Sequence, residues 1–487
     1  MHDTHIVKYP ACHGTLSWSQ SGKRHEAPIG FSLEVDKTGR IRLEIEDQPL
    51  SQANFWIHTA FSGSSPTVAS LRLEARNADG YVLRSDSVHL SSVGTHSTPD
   101  SATLRMAASA SHLTVLAEQD DSVLPSEFQV EYWVAGLRWF RGARFATATG
   151  EVAIAGDFKV DDYSKVSGEI AVRSSAKDKT LDAWLLAVDE EVNRILDIVS
   201  FADGHFMRPT VRQAFRDTKL TRVEFLGSRH GASPHKPPLH CLDFTNSLPP
   251  LIQAYDASLI ERTGLSVAIE WHLMPHVYDE ARFVSQMTAI EHLIHVFAEH
   301  SPDSTYIDKS VFNKTVAPAL VGTLEQQVGS LGLGEVARKD ALEGMTQSLK
   351  QINRRSLRSN LARMLCDYCV PLDGLSELIG PLITTRNNIV HRGLHERGDD
   401  GTALSQRVAE AEEFLRRIVL ALLGFQGRYT TWLDKVEDRD FRHKATNTAS
   451  NGIDEAANEA PLPLQPSPST PNEQVSDPAT SIDGQSP

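Results

Sequence analysis

The chain has 487 residues, 40% of them hydrophobic and 23% charged. That balance belongs to a globular protein of two to four domains with enough apolar side chains for a sizeable core. A formal net charge of −15 argues against a surface coated for nucleic acid. Met1-His2-Asp3-Thr4-His5 lacks the basic start and apolar run of a signal peptide. The longest apolar run, Ile418 to Leu423 and on to Phe425, is far short of a membrane span. Cys12, Cys241, Cys366 and Cys369 do not make a disulfide framework in a chain this long. A protein of the reducing cytoplasm, with no membrane contact, is the expectation.

Residues 1–170 read as a β-rich domain, a sandwich or barrel-like fold. Phe31, Leu33 and Val35 alternate with polar residues, Asp36-Lys37-Thr38-Gly39 turns, and Ile41, Leu43 and Ile45 alternate again. Leu71 to Ala75, Asn77-Ala78-Asp79-Gly80, and Tyr81-Val82-Leu83 repeat the scheme, with further strands at Leu113–Leu116 and Phe128–Tyr132. Trp133, Trp139 and Phe140 sit in or beside strands and read as core.

Residues 171–250 read as a helix, short strands and a connection. Leu181, Trp184, Leu185, Val188, Val192, Ile195, Leu196 and Val199 recur at spacings of three and four, with Gly204 as the stop. Strands resume near Arg222–Leu226. Five prolines between Gly231 and Pro250 preclude a helix throughout.

Residues 251–435 read as a helical bundle. One face is marked by Phe283, Met287, Ile290, Ile294 and Phe297, and another by Val316, Leu320, Leu324 and Val328. Leu357, Leu361, Met364 and Leu365 mark a third, and Leu375, Leu378, Ile379, Leu382 and Ile383 a fourth. Leu404 to Leu423 closes the bundle. Residues 436–487 read as a disordered acidic tail. From about 445 it is rich in Pro, Ser, Asn and Asp, with seven of the 24 prolines, and lacks apolar residues to offset the entropy of ordering. Its six acids, with no Lys or Arg after Lys444, account for the step from −15 to −9.

Chemistry concentrates at Arg386-Asn387-Asn388-Ile389-Val390-His391. Metal-independent RNA cleavage requires a proton removed from the 2′-hydroxyl, a proton given to the leaving 5′-oxygen, and a stabilised phosphorane. Histidine suits proton movement near neutral pH. Arginine offers a permanently charged planar fork to phosphate oxygens, and Asn387 can support either partner. On a straight helix Asn387 and His391 share a face, whereas Arg386 and His391 lie about 140° apart. Either the helix ends near the motif, with Gly393 as a candidate stop, or two copies meet. Arg338 to Arg363 carries a local charge of +5, which fits either a solvated helix face or a polyanion patch. Arg354, Arg355 and Arg358 of this patch, and Arg392 beside the motif, are the candidate RNA contacts.

The Arg-Asn-x-x-x-His segment resembles the active-site motif of the HEPN superfamily. The layout, a β-rich region before a helical domain, resembles the ApeA-like antiphage HEPN proteins. Ile198 to Gly204 is similar to a helix end in their N-terminal regions. Asp279 to Phe283 with Ala289 to Leu293 is similar to their first HEPN helix. The resemblance implies a homodimeric, cytoplasmic endoribonuclease of abortive infection. It would cut host RNA such as tRNA to 2′,3′-cyclic phosphate and 5′-hydroxyl ends, without metal or cofactor, after a phage-derived trigger. Arg386 and His391 would be catalytic and Asn387 supporting, with the N-terminal region as sensor. The alternative is a non-catalytic HEPN dimerisation or nucleotide-binding module with an N-terminal partner-binding domain.

Weaker signals have plainer readings. Cys366-Asp367-Tyr368-Cys369 is a single C-x-x-C, and zinc asks for four ligands; two cysteines on a packed helix suffice. His292 and His295 read as polar residues at a helix edge, with a metal hydrolase or transferase as the rival. Glu291, beside them, is placed to approach the motif from a neighbouring helix and orient it. No Walker-type loop or G-x-G-x-x-G is present.

Overall fold

A computed structural model describes residues 5–20, 22–49, 71–98, 101–117, 127–137, 142–157, 162–174, 180–227, 235–301, 305–349, 351–393, 403–433 and 435–441. A large antiparallel β-sheet region is followed by a helical region. Trp139, Phe140 and the tail beyond Phe441 lie outside the described residues.

The expected hairpins form through their turn chemistry. Strands β2 (Lys23–Asp36) and β3 (Ile41–Pro49) pair with Phe31 opposite Ile45. Asp36 Oδ1 accepts from the Thr38 and Arg40 backbone amides, while Gly39 adopts φ 78°, a left-handed conformation that glycine takes without a Cβ penalty. Strands β4 (Leu71–Asn77) and β5 (Val82–Thr98) pair around Gly80 in the same manner. With β1 (His5–Gln20) and β6 (Ser101–Ala110) these strands follow the order β4-β1-β2-β3-β6-β5, and β5 returns to β4, so six strands form a ring. Its interior is an apolar cluster that includes Leu16, Phe31, Leu33, Leu73 and Met106.

The same 13-stranded sheet continues past the ring. The strands added are β7 (Leu113–Leu116), β8 (Phe128–Ala135), β9 (Ala143–Ala146), β10 (Glu151–Gly156), β11 (Val166–Ser174), β12 (Pro209–Arg216) and β13 (Lys219–Phe225). Their order is β7-β13-β12-β8-β11-β10-β9. Thus β12 and β13, which follow the first long helix in sequence, insert between β7 and β8. Helix α1 (Leu181–Asp203) starts on a Thr180 cap and stops at Gly204 with φ 73°. Its apolar stripe covers the sheet through Trp184, Val188 and Ile195. Polar pins fix it there: the Tyr132 hydroxyl donates to Asp189 at 2.7 Å, and Arg212 pairs with both Asp189 and Glu224.

Helix α2 (Phe244–Ala254) corrects the expectation of a continuous connection up to Pro250, because Pro249 and Pro250 lie inside it. The buried stripe of Phe244, Leu248, Leu251 and Ile252 drives the helix. The carbonyls left without a donor belong to the exposed Thr245 and Asn246, where solvent reaches them. Then come α3 (Ala257–Thr263), α4 (Leu265–Leu273), α5 (Asp279–His300), α6 (Ala317–Ser330), α7 (Glu335–Leu349), α8 (Leu357–Asp367), α9 (Ile379–Arg392) and α10 (Leu404–Leu422). One continuous apolar core runs from Phe128 on the sheet through the helices to Phe441.

Two features differ from the apolar periodicity. Of the expected face of α6 only Val328 is buried, and α7 buries no residue, because these two helices pack mainly on each other. After α10 the chain forms a hairpin, β14 (Gly427–Thr431) with β15 (Glu437–Phe441), that adds Tyr429 and Phe441 to the core. The ordered part therefore runs past residue 435.

Helix α10 is also more than an apolar closing helix. Glu412, Glu413, Arg416 and Arg417 are each no more than 1% exposed. Arg416 Nη2 donates to Glu412 at 2.9 Å, and Arg417 Nε donates to Glu413 at 2.9 Å. Arg417 Nη1 also donates to the carbonyls of Pro371 and Asp373. Arg282 on α5 donates to Glu412 at 2.5 Å, and His235 Nδ1 lies 3.4 Å from the same oxygen. Burial alone would raise the Glu412 pKa. The His235 hydrogen bond and then Arg416 and Arg282 outweigh it and hold the carboxyl well below its usual range. His272 on α4 is fully buried 5.2 Å from His235, centroid to centroid. Burial, then His235 and Arg416, lower its pKa to about 3, so the ring is neutral. Ion pairing thus ties α10 to α5, the helix that carries Glu291.

Candidate functional site at the α5–α9 edge

Helix α9 buries Ile379, Leu382, Thr385 and Ile389. Arg386 sits at the rim of that stripe, half-buried, while Asn387, Val390 and His391 are exposed. The helix runs unbroken through Arg392 and ends at Gly393, whose φ is 71° and whose N–H donates to the Ile389 carbonyl at 2.9 Å. The whole motif is therefore helical. Its two sides diverge as the 3.6-residue repeat dictates, with Arg386 turned toward α5 and Asn387 and His391 facing solvent. His391 and Arg392 in the last turn suit the negative end of the helix dipole.

Glu291 meets Arg386 from α5. Nε of Arg386 lies 2.7 Å from Oε1 and Nη2 donates to Oε2 at 2.9 Å, a two-pronged pair with the side chains 28% and 25% exposed. Nη1 donates to Asn387 Oδ1 at 3.3 Å. A guanidinium has five N–H groups. Two of them hydrogen-bond, to Glu291 and Asn387, and Nε makes a close ionic contact with Oε1, so about two remain for a substrate oxygen.

Glu291 also lines a cleft of about 690 Å³ beside the pair. On α5 its wall is the helical stripe Glu291, Ile294, His295, Ala298 and Glu299; opposite stand Lys309, Arg354 and Arg355. Asn353 builds that side by clamping Ile307, accepting from its N–H and donating to its carbonyl, each at 2.8 Å. The Arg355 guanidinium stacks over Tyr306 at 4.9 Å. Two of the candidate phosphate contacts, Arg354 and Arg355, thus line the cleft that Glu291, the partner of Arg386, also lines. Arg358, exposed on α8, and Arg392, exposed at the end of α9, do not line this cleft.

His292 and His295 diverge. His295 Nε2 lies 3.2 Å from Glu299, whereas His292 packs against Gly264. Burial, then His295, lower the His292 pKa. Cys366 and Cys369 are exposed and free. Among the described residues no group of three or more His, Cys, Asp or Glu is arranged for a metal ion, and no helix is long and apolar enough to cross a membrane.

Sequence reasoning missed Lys309, Asn353 and the buried His235, His272 and Glu412 network, whose partners are remote in the chain. The E-E-x-x-R-R spacing on α10 was the one local signal. Comparison with known proteins finds no matching family model, no matching curated protein and no matching solved structure.

Proposed function

We propose that the chain is a metal-independent endoribonuclease of the HEPN type, acting in antiphage defence on host RNA such as tRNA. The observation that carries this reading is the pairing of Arg386 with Glu291, which lines a cleft together with Lys309, Arg354 and Arg355. There a charged fork is held in place with donors to spare, next to cations that suit an RNA backbone.

In the reaction, the 2′-hydroxyl loses its proton and attacks phosphorus. The bond to the 5′-oxygen breaks and that oxygen takes up a proton, leaving a 2′,3′-cyclic phosphate and a 5′-hydroxyl. Arg386 neutralises the charge that builds on the phosphoryl oxygens. His391 moves a proton, and Asn387 steadies the guanidinium through its Oδ1. Because α9 is regular, one chain does not aim Arg386 and His391 at one phosphate. A second copy supplies the other group, which makes the active form a homodimer through the helical domain. The β-rich region serves as the sensor for a phage-derived trigger, and the protein works in the cytoplasm.

A second reading, a HEPN module that pairs or binds nucleotides without cutting, is favoured by the engagement of Arg386 with Glu291 and Asn387. Purified protein mixed with tRNA separates the two. The nuclease reading expects cyclic-phosphate ends, indifference to EDTA, and loss of cutting in folded Arg386→Ala and His391→Ala. Cutting that survives both substitutions overturns the assignment.

A further inference from the structure

A second cleft, of about 470 Å³, lies away from the arginine site, in the size range of small-ligand pockets. It forms where the β-rich region, the Pro-rich connection and the β14–β15 hairpin converge. His205 lines it and is only 6% exposed. The His205 ring is stacked on Tyr163, with centroids 3.5 Å apart and planes 11° apart. Its Nδ1 faces two acceptors, the Asp203 carbonyl at 2.9 Å and the Asp203 carboxylate at 3.1 Å. The ring proton therefore resides on Nδ1, and Nε2 is a bare acceptor in the neutral ring. That buried nitrogen has no partner among the described residues, and buried polar atoms seldom go without one.

The rest of the lining narrows the ligand. Trp432 and Phe244 give flat apolar walls, and Trp432 is held by its Nε1–H donating to the Pro237 carbonyl at 2.8 Å. Asp203, Glu437 and Asp438 contribute three carboxylates; Lys435 and Arg439 pair with Glu437, and Arg428 lies 3.9 Å from Asp438. The aromatic walls, the buried Asp203 carboxylate and the bare His205 Nε2 favour a planar ring that carries N–H donors. We propose that this cleft binds an amino-bearing nucleobase, as the base or its nucleoside, with an N–H of the ligand donating to His205 Nε2. This site does not depend on the ribonuclease reading.

Calorimetric titration of the full chain with adenosine, cytidine and uridine tests it. Adenosine and cytidine are expected to bind at one site per chain. Uridine, without an exocyclic amine, should bind at least about tenfold more weakly. His205→Phe keeps the ring stack but removes both nitrogens, and should weaken adenosine by about tenfold or more. If that variant does not fold, Cys241→Trp, which fills the cleft from a half-buried wall, should abolish binding. Arg386→Ala should leave it unchanged. The proposal is overturned if no nucleoside binds at millimolar concentration, if uridine binds as well as adenosine, or if a folded cleft variant binds as the parent does.

Discussion

Replacing Glu291 by glutamine removes one charge and one acceptor from the Arg386 contact while keeping the side chain's shape. A carboxylate meets the guanidinium through two oxygens, at 2.7 and 2.9 Å. An amide presents one oxygen and one NH2, and the NH2 opposes an N–H of the arginine. The two-pronged grip is lost and the guanidinium can swing. Because both side chains are about one-quarter exposed, solvent screening limits the stability cost to about 1 kcal/mol. The catalytic cost is larger, since a displacement of about 1 Å in a positioning group is worth up to about a hundredfold in rate. Single-turnover cleavage of tRNA by Glu291→Gln should therefore fall about 10- to 100-fold, with the unfolding midpoint lowered by only a few degrees. Arg386→Ala should be slower still. A Glu291→Gln enzyme as fast as the parent would show that the pair does not position the arginine. A faster one would show that Glu291 withholds Arg386 from substrate.

Glu413→Ala leaves Arg417 a buried cation without a carboxylate partner and takes one of two carboxylates from Arg416, which keeps Glu412, and should cost about 3–5 kcal/mol in denaturant unfolding; a cost under about 1 kcal/mol would mean that water enters the network. The His272 proton affinity is depressed, so between pH 6.5 and about 3 the unfolded chain binds a proton that the folded chain refuses. Stability from this group is thus full above pH 6.5 and declines below it, by about 2 kcal/mol at pH 5. Glu412, held low by its partners, adds to the loss only at lower pH. His272→Gln should flatten the slope between pH 7 and 5, and an unchanged slope in equilibrium unfolding would refute the assignment. Arg354→Ala and Arg355→Ala should each weaken RNA binding across sequences and reduce the salt dependence by about one phosphate contact; binding titrations at several salt concentrations that leave the slope intact would remove this cleft from the RNA path.

Local chemistry made much of the fold legible. The Asp36–Gly39 and Asn77–Gly80 turns were readable because an aspartate or asparagine side chain and a left-handed glycine specify a hairpin from within four residues. The stop of α1 at Gly204 was readable for the same reason, since the glycine takes the left-handed conformation there. The closing of β4 onto β5 and β1 to make a ring was not, nor was the insertion of β12 and β13 between β7 and β8, because strand order is a non-local choice. Periodicity marks an apolar face but not whether a partner covers it, which is why Leu320 on α6 is 36% exposed. At the candidate site, residue types and spacing on α9 were visible. Glu291 was named as an orienter from a neighbouring helix, but which motif residue it meets was not legible, because its contact with Arg386 spans 95 residues. On α10 only the apolar residues that close the bundle were read, and its charges, which α5, α4 and the Pro371–Asp373 carbonyls enclose, were not.

Because a single oily interior passes without interruption from Phe128 on the sheet to Phe441 after the last helix, the later strands and the helices have no natural place to be parted, whereas the six-strand ring keeps an interior of its own. Dissecting the chain where strands give way to helices would strip both fragments of packing and leave each sticky. The same continuity gives a disturbance at the β-rich end a solid path to Glu291, through α1, α4 and α5, without any hinge. Close-packed side chains transmit a displacement because they have nowhere to yield.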